Sequence, residues 1–120
     1  MDNKAIYLQI ADTIMERILD GSLGPESRLA SVRDYAATME VNANTVMRSY
    51  DYLAGLGVIA NRRGIGYFVA EDAVGIVRRK CADELMGDVL SDVMRRMALL
   101  GITPEMLKQK YEDFLKTQKK

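Results

Sequence analysis

The chain has no histidine and a single cysteine, Cys81, and these two scarcities remove common routes to catalysis and to covalent stabilisation. Without histidine there is no His-based triad, no imidazole metal ligand and no side chain switching charge near neutral pH. One thiol cannot close a disulfide within the chain. Charge of one sign is also missing: Lys+Arg and Asp+Glu both total 17. A polyanion is therefore not attracted to the chain as a whole, and weak nonspecific affinity for nucleic acid is expected. No apolar run reaches membrane-spanning length, and the opening Met1-Asp2-Asn3-Lys4 does not resemble an export signal. The expectation is a cytoplasmic protein with no membrane partner.

Catalytic chemistry finds little else to use. The carboxylate pairs Asp83-Glu84 and Glu112-Asp113 are adjacent in helical patterns, where neighbours do not face one another. Cys81 falls on an apolar stripe and reads as a buried structural thiol. Gly64-x-Gly66 sits in a hairpin pattern without the following helix and lysine-serine pair of a phosphate loop. No catalytic residue, metal site or cofactor is expected, and the chain does not read as an enzyme.

What is present is an ordered pattern from Leu29 to Val69. Ser31 stands where an N-cap belongs, with Asp34 three residues on, and Val32, Tyr35, Ala36 and Met39 supply an apolar stripe predicting a helix of about three turns. Val41 anchors a tight turn. Asn42 then caps a second helix reaching about Leu56, and Gly57 ends it. In this helix Val46, Tyr50, Leu53 and Leu56 share a buried face, which leaves Ala43, Asn44, Thr45, Met47 and Arg48 directed outward. Short polar residues near a helix N-terminus are what a recognition helix offers to base edges.

Val58-Ile59-Ala60 and Tyr67-Phe68-Val69 read as the strands of a hairpin with Arg62-Arg63-Gly64-Ile65-Gly66 at its tip. Paired arginines suit phosphate or minor-groove contact, and the glycines allow positive φ and close approach. Solvated charges on an ordinary loop would look the same in isolation. The succession of helix, turn, helix and basic wing is more specific. From Val41 to Val69, moreover, Arg48, Arg62 and Arg63 face Asp51 alone, so this segment is locally positive.

Tyr7, Ile10, Ala11, Ile14 and Ile18 predict a preceding core helix stopped by Gly21. Arg28, in the polar loop after it, could face phosphate or solvent. After Val69 a helical pattern runs from Val74 to about Leu100 with two stripes, Val77, Cys81, Leu85 and Val89 on one side and Met86, Leu90, Val93, Met97 and Leu100 on the other. The second stripe alternates steps of four and three, a short heptad seam suited to a second copy of the chain. Gly101 ends this helix. Thr103-Pro104 opens another with Leu107, Tyr111, Phe114 and Leu115 on one side and Lys116, Lys119 and Lys120 near its end.

The segment from Ile6 to Val69 resembles the winged helix-turn-helix domain of the GntR family of bacterial transcription regulators. The resemblance rests on IYLQIADTI, on the LxSVRDYA segment around Arg33, on VNANTVMRSYDYL and on LGVIANRRGIGYFV. The Asn42-Ala43-Asn44-Thr45 cap and short tail are most similar to the YtrA-type branch. The resemblance implies that Arg33, the N-terminal residues of the recognition helix and the wing glycines contact DNA. It also implies repression, often of transporter operons that include the regulator's own gene. Two departures stand out. Leu29-Ala30-Ser31 replaces the common Leu-Pro-Ser, and Ala43 stands where the branch often has proline and other members an arginine. Alanine cannot donate to a base or phosphate, so position 43 is left out of the contact set.

The expected fold is therefore mostly α with a small β-hairpin, a winged helix-turn-helix over 1–70 followed by a C-terminal helical hairpin over 71–120. The expected function is a homodimeric, sequence-specific regulator of transcription, a repressor on an inverted-repeat operator. Its DNA-binding residues are Arg33, Asn42, Asn44, Thr45, Arg48, Arg62, Arg63, Gly64 and Gly66, and its dimer seam is Met86, Leu90, Val93, Met97 and Leu100. The partners are double-stranded DNA and a second copy of the chain. The tail alone cannot enclose a small-molecule pocket of usual size; an effector could still bind at the dimer seam, but nothing in the sequence supports one. The competing reading is a winged-helix module that binds another protein without reading DNA.

Overall fold

The computed structural model describes residues 4–118, which leaves Lys119 and Lys120 outside the described residues. The elements run α1 (Ile6–Leu19), α2 (Val32–Met39), α3 (Ala43–Gly55), β1 (Ile59–Arg62), β2 (Gly66–Val69), α4 (Ala73–Glu84), a π-helical turn (Leu85–Val89), α5 (Leu90–Leu99) and α6 (Pro104–Gln118). The chain divides into two compact units, Met1–Cys81 and Ala82–Lys120. The first extends past residue 70 because α4 puts Ala73 and Val77 into the core of the winged domain.

In the first unit the apolar period of α1 buries Ile10, Ala11, Ile14 and Ile18, together with Met15. They pack with Val46, Tyr50 and Leu53 of α3, with Val58, Ile59 and Val69 of the hairpin, and with Val77 of α4. Burying each such large side chain contributes roughly 1.5–3 kcal/mol, so this core holds the fold together. Gly21, at φ +88°, takes the left-handed turn that ends α1. Just before it the Asp20 carboxylate accepts from the Ser22 amide at 2.8 Å and the Ser22 hydroxyl at 2.7 Å. These two bonds hold the carboxyl below its ordinary value of 3.8.

The Ser31 hydroxyl accepts from the Asp34 amide at 3.0 Å and opens α2 as expected. With 8 residues, however, α2 is nearer two turns than three. Met39, expected on its buried stripe, is 52% exposed, because the chain leaves the helix at once through Glu40 with φ 57°. Left-handed backbone costs a non-glycine residue about 1–2 kcal/mol, and here it makes the tight turn into α3. Leu56, the C-cap of α3, is half-buried, and within the helix fully buried Ser49 shares the inner face with Val46, Tyr50 and Leu53. Ser49 resolves its polar cost by donating to the carbonyl of Tyr7 in α1 at 2.6 Å.

β1 and β2 pair antiparallel from Ile59↔Val69 to Arg62↔Gly66, so Arg62 and Gly66 close the ladder and Arg63-Gly64-Ile65 forms the tip. The segment before α2 adds a third edge. The Glu26 amide donates to the Val69 carbonyl at 2.9 Å, the Val69 amide to Ser27 at 2.8 Å, and the Leu29 amide to Tyr67 at 2.9 Å. The stretch expected to be a polar loop is thus bridged to β2 through Arg28 and Phe68.

In the second unit the long helix is not continuous. Gly87 has φ −87° and ψ −118°, outside the helical region. Glycine weakens a helix interior by roughly 0.5–1 kcal/mol relative to alanine and tolerates such backbone, so the break falls there. It interrupts the heptad seam between Met86 and Leu90. α5 ends at the left-handed Gly101, and the Thr103 hydroxyl accepts from the Met106 amide at 3.2 Å to open α6. Among the described residues from 82 onward none is buried. Cys81, expected to be buried, is half-buried.

Candidate nucleic-acid interface

The N-terminus of α3 is set by Asn42, whose side-chain oxygen accepts from the Asn44 amide at 2.7 Å. This bond occupies the Asn42 carbonyl and leaves its NH₂ as the group available for outside contact. Asn44 and Arg48 are exposed, whereas Thr45 is half-buried. The Arg48 guanidinium lies over the Tyr7 ring at 4.0 Å from its centre. Such stacking leaves the in-plane N–H donors at the edge of the guanidinium open to an acceptor.

Arg33 is exposed in the first turn of α2, directly after Val32, and makes no ion pair among the described residues. A cation there opposes the helix dipole by about 0.3–1 kcal/mol, so stability does not account for an arginine at this position.

The two wing arginines differ. Arg63 is exposed and makes no ion pair among the described residues. Arg62 pairs with Glu26 and lies over the Phe68 ring at 4.2 Å. At the tip Gly64 takes φ +76°, and Ile65 is 55% exposed. Gly66 has φ +139°, and a Cβ there would come within 3.1 Å of the Arg28 Nε. Arg28, which the sequence left ambiguous, thus lies against the wing.

A chain of tyrosines joins these parts. The ring centres of Tyr35 in α2 and Tyr50 in α3 are 6.3 Å apart, and those of Tyr50 and Tyr67 in β2 are 4.9 Å apart, both edge to face. The Tyr67 hydroxyl reaches the Met47 sulfur at 3.9 Å, tying the wing to the outer side of α3. Burial raises the Tyr35 phenol above its ordinary value. Tyr50 is pushed up to about 12 by burial first and by the neighbouring Tyr35 and Tyr67 phenols second. Sequence patterning identified Tyr35 and Tyr50 as core residues. It missed the roles of Tyr67, Glu26 and Arg28, which depend on contacts distant along the chain.

The residues expected to form a dimer seam are open in the single chain. Met86 is 65%, Val93 39% and Leu100 75% exposed, while Leu90 and Met97 are half-buried. Leu107, Tyr111 and Phe114 line an open groove on α6 rather than an enclosed cavity. Among the described residues no cluster of His, Cys, Asp or Glu could hold a metal ion, and no helix is long and apolar enough to cross a membrane.

Residues 6–69 match the family described as bacterial regulatory proteins, gntR family. The chain is 40% identical over 119 residues to the helix-turn-helix type transcriptional regulator YhcF of Bacillus subtilis, covering 95% of this chain and 97% of that one. It is 38% identical over 68 residues to the transcriptional repressor YtrA of the same organism, covering 57% and 52% of the two chains. A GntR-family transcriptional regulator from Bacteroides thetaiotaomicron superposes with a TM-score of 0.79 at 42% identity, over 95% of this chain and 99% of that one. With its two-stranded wing, its helix-turn-helix and these relatives, the chain belongs to the gntR family of bacterial regulatory proteins and is a DNA-binding helix-turn-helix regulator of transcription.

Proposed function

We propose that the protein is a cytoplasmic repressor that binds an inverted-repeat operator in double-stranded DNA as a homodimer and acts by binding alone, without a catalytic step. The observation that carries this reading is the exposed start of α3, with Asn44 and Arg48, accompanied by Arg33 of α2 and Arg63 of the wing, which make no ion pair among the described residues. Arg33 clamps phosphate or reads a base. The Asn42 amino group, Asn44 and Thr45 meet base edges or backbone, Arg48 holds phosphate, and Arg62, Arg63 and the Gly64-Ile65-Gly66 tip engage the neighbouring groove. The repressor YtrA supports the direction of regulation by kinship.

The dimer is supported by the second unit, where Met86, Val93 and Leu100 are exposed and Leu90 and Met97 half-buried. Two subunits related by a two-fold axis require inverted half-sites. Joining two modest half-sites also answers the zero net charge, because the second contact gains from effective concentration.

The test is a footprint of the purified protein on the DNA immediately upstream of its own gene, at about 50 mM and about 200 mM salt, with Arg33→Ala as control. Protection of two inverted half-sites, weakened by salt and lost in the variant, is the expected result. Failure to select any duplex from a genomic library would overturn it.

A further inference from the structure

Of the two arginines at the wing, one is already engaged. Arg62 pairs through its guanidinium with the carboxylate of Glu26, and Phe68 supports the plane from one side at 4.2 Å. Glu26 is held to this task by its backbone. It takes the left-handed conformation at φ 66°, and its amide donates to the Val69 carbonyl at 2.9 Å, which fastens it to the far end of the strand that returns from the tip. A side chain on solvent-exposed loop backbone would ordinarily be free to turn away. Here the third sheet edge fixes the backbone from which the carboxylate reaches the wing arginine.

A carboxylate on a guanidinium makes the same charge-assisted contact that a phosphate oxygen would make. We propose that Glu26 is an internal competitor of DNA phosphate for Arg62, so that the wing meets nonspecific DNA with Arg63 as its uncompensated charge and releases Arg62 only where the rest of the interface is fully docked. This inference rests on the DNA-binding reading above. Both side chains of the pair are about half exposed, at 48% and 54%, so the pair is weak enough for DNA to displace it. Its effect is on background binding, where every charge counts and no base contact compensates. The competitor lowers affinity for the bulk of DNA more than for an operator.

Binding of the full chain to a random-sequence duplex and to the DNA upstream of its own gene, each measured over a salt series, tests this. Glu26→Gln keeps an acceptor but removes the charge. Glu26→Gly removes the side chain and accepts φ 66° without strain. Both variants are expected to bind random duplex up to about fivefold more tightly at about 50 mM salt, with the slope of log K against log salt steeper by about 0.9. The gain is expected to be smaller on the specific duplex and to vanish in an Arg62→Ala background. Equal or weaker binding by both variants would overturn the inference, as would a gain that persists without Arg62, since Glu26 would then repel DNA directly. If the wild-type chain and the variants bind no duplex at any salt, the DNA-binding reading falls and takes this inference with it. Wild-type binding with unchanged variants removes this inference alone.

Discussion

The hydroxyl of Tyr50 donates a 2.7 Å hydrogen bond to the carbonyl of Ala30, joining the middle of α3 to the residue before the N-cap of α2. The bond fixes the spacing between the two helices of the helix-turn-helix at its open end, opposite the tight turn through Glu40 and Val41. Removing the hydroxyl with Tyr50→Phe should lower stability by about 1 kcal/mol, read as a shift of the urea midpoint at unchanged slope.

Tyr50 also sets an alkaline limit. Its phenol ionises near 12 in the folded chain against an ordinary 10.0, so the unfolded chain loses that proton first. The stability contributed by the neutral phenol is complete below pH 10 and is lost as pH rises toward 12. Urea titrations at about pH 8 and about pH 11 should show a decline that is shallower in Tyr50→Phe. Equal declines in the two proteins would show that Tyr50 does not set this limit.

Glu40 offers the opposite experiment. Its φ of 57° and its exposed position mean that the side chain adds strain without burial. Glu40→Gly should raise stability by about 0.5–1 kcal/mol, the relief of strain being reduced by the greater freedom of glycine in the unfolded chain. A lowered midpoint would mean that the glutamate makes a compensating contribution of its own.

Among the exposed arginines, Arg33→Ala should cost about 1–3 kcal/mol of operator binding if the side chain reads a base. Arg63→Ala should weaken specific and random duplex alike and reduce the salt slope by about 1. Competition binding with both duplexes separates the two behaviours.

The proposed dimer seam makes a further prediction. Glutamate in place of Val93, which is 39% exposed in α5, should shift the sedimenting species from twice the chain mass to the chain mass and abolish cooperative occupation of paired half-sites. A variant that still sediments as a dimer would move the interface elsewhere.

Much of the first unit was legible because its signals are local. The period of α1, the caps Ser31 and Asn42, and the glycines at 21 and 57 act within one or two turns of chain, and each lies where its chemistry required. Ser49 was unreadable, because a serine on a helix turns inward only when a distant carbonyl, here that of Tyr7, can receive it. The third edge of the wing was equally hidden, since residues 26–29 carry no alternation and owe their conformation to β2. Met39 misled because the helix stopped at a glutamate in left-handed backbone, where periodicity gives no warning. The break at Gly87 was concealed by apolar residues whose spacing continues on either side of it. At the candidate interface the residue types were legible, but that Arg62 is paired while Arg63 makes no ion pair among the described residues required their neighbours.

The tyrosine chain from Tyr35 through Tyr50 to Tyr67 holds α2, α3 and the wing to one another before any ligand arrives. Preorganisation of this kind removes an ordering entropy that a flexible reader would have to supply on contact, about 0.5–1.5 kcal/mol for each side chain immobilised. Encounter is then limited by diffusion and orientation rather than by folding of the reading head. Differences between one sequence and another are accordingly expected in how long the complex lasts rather than in how fast it forms.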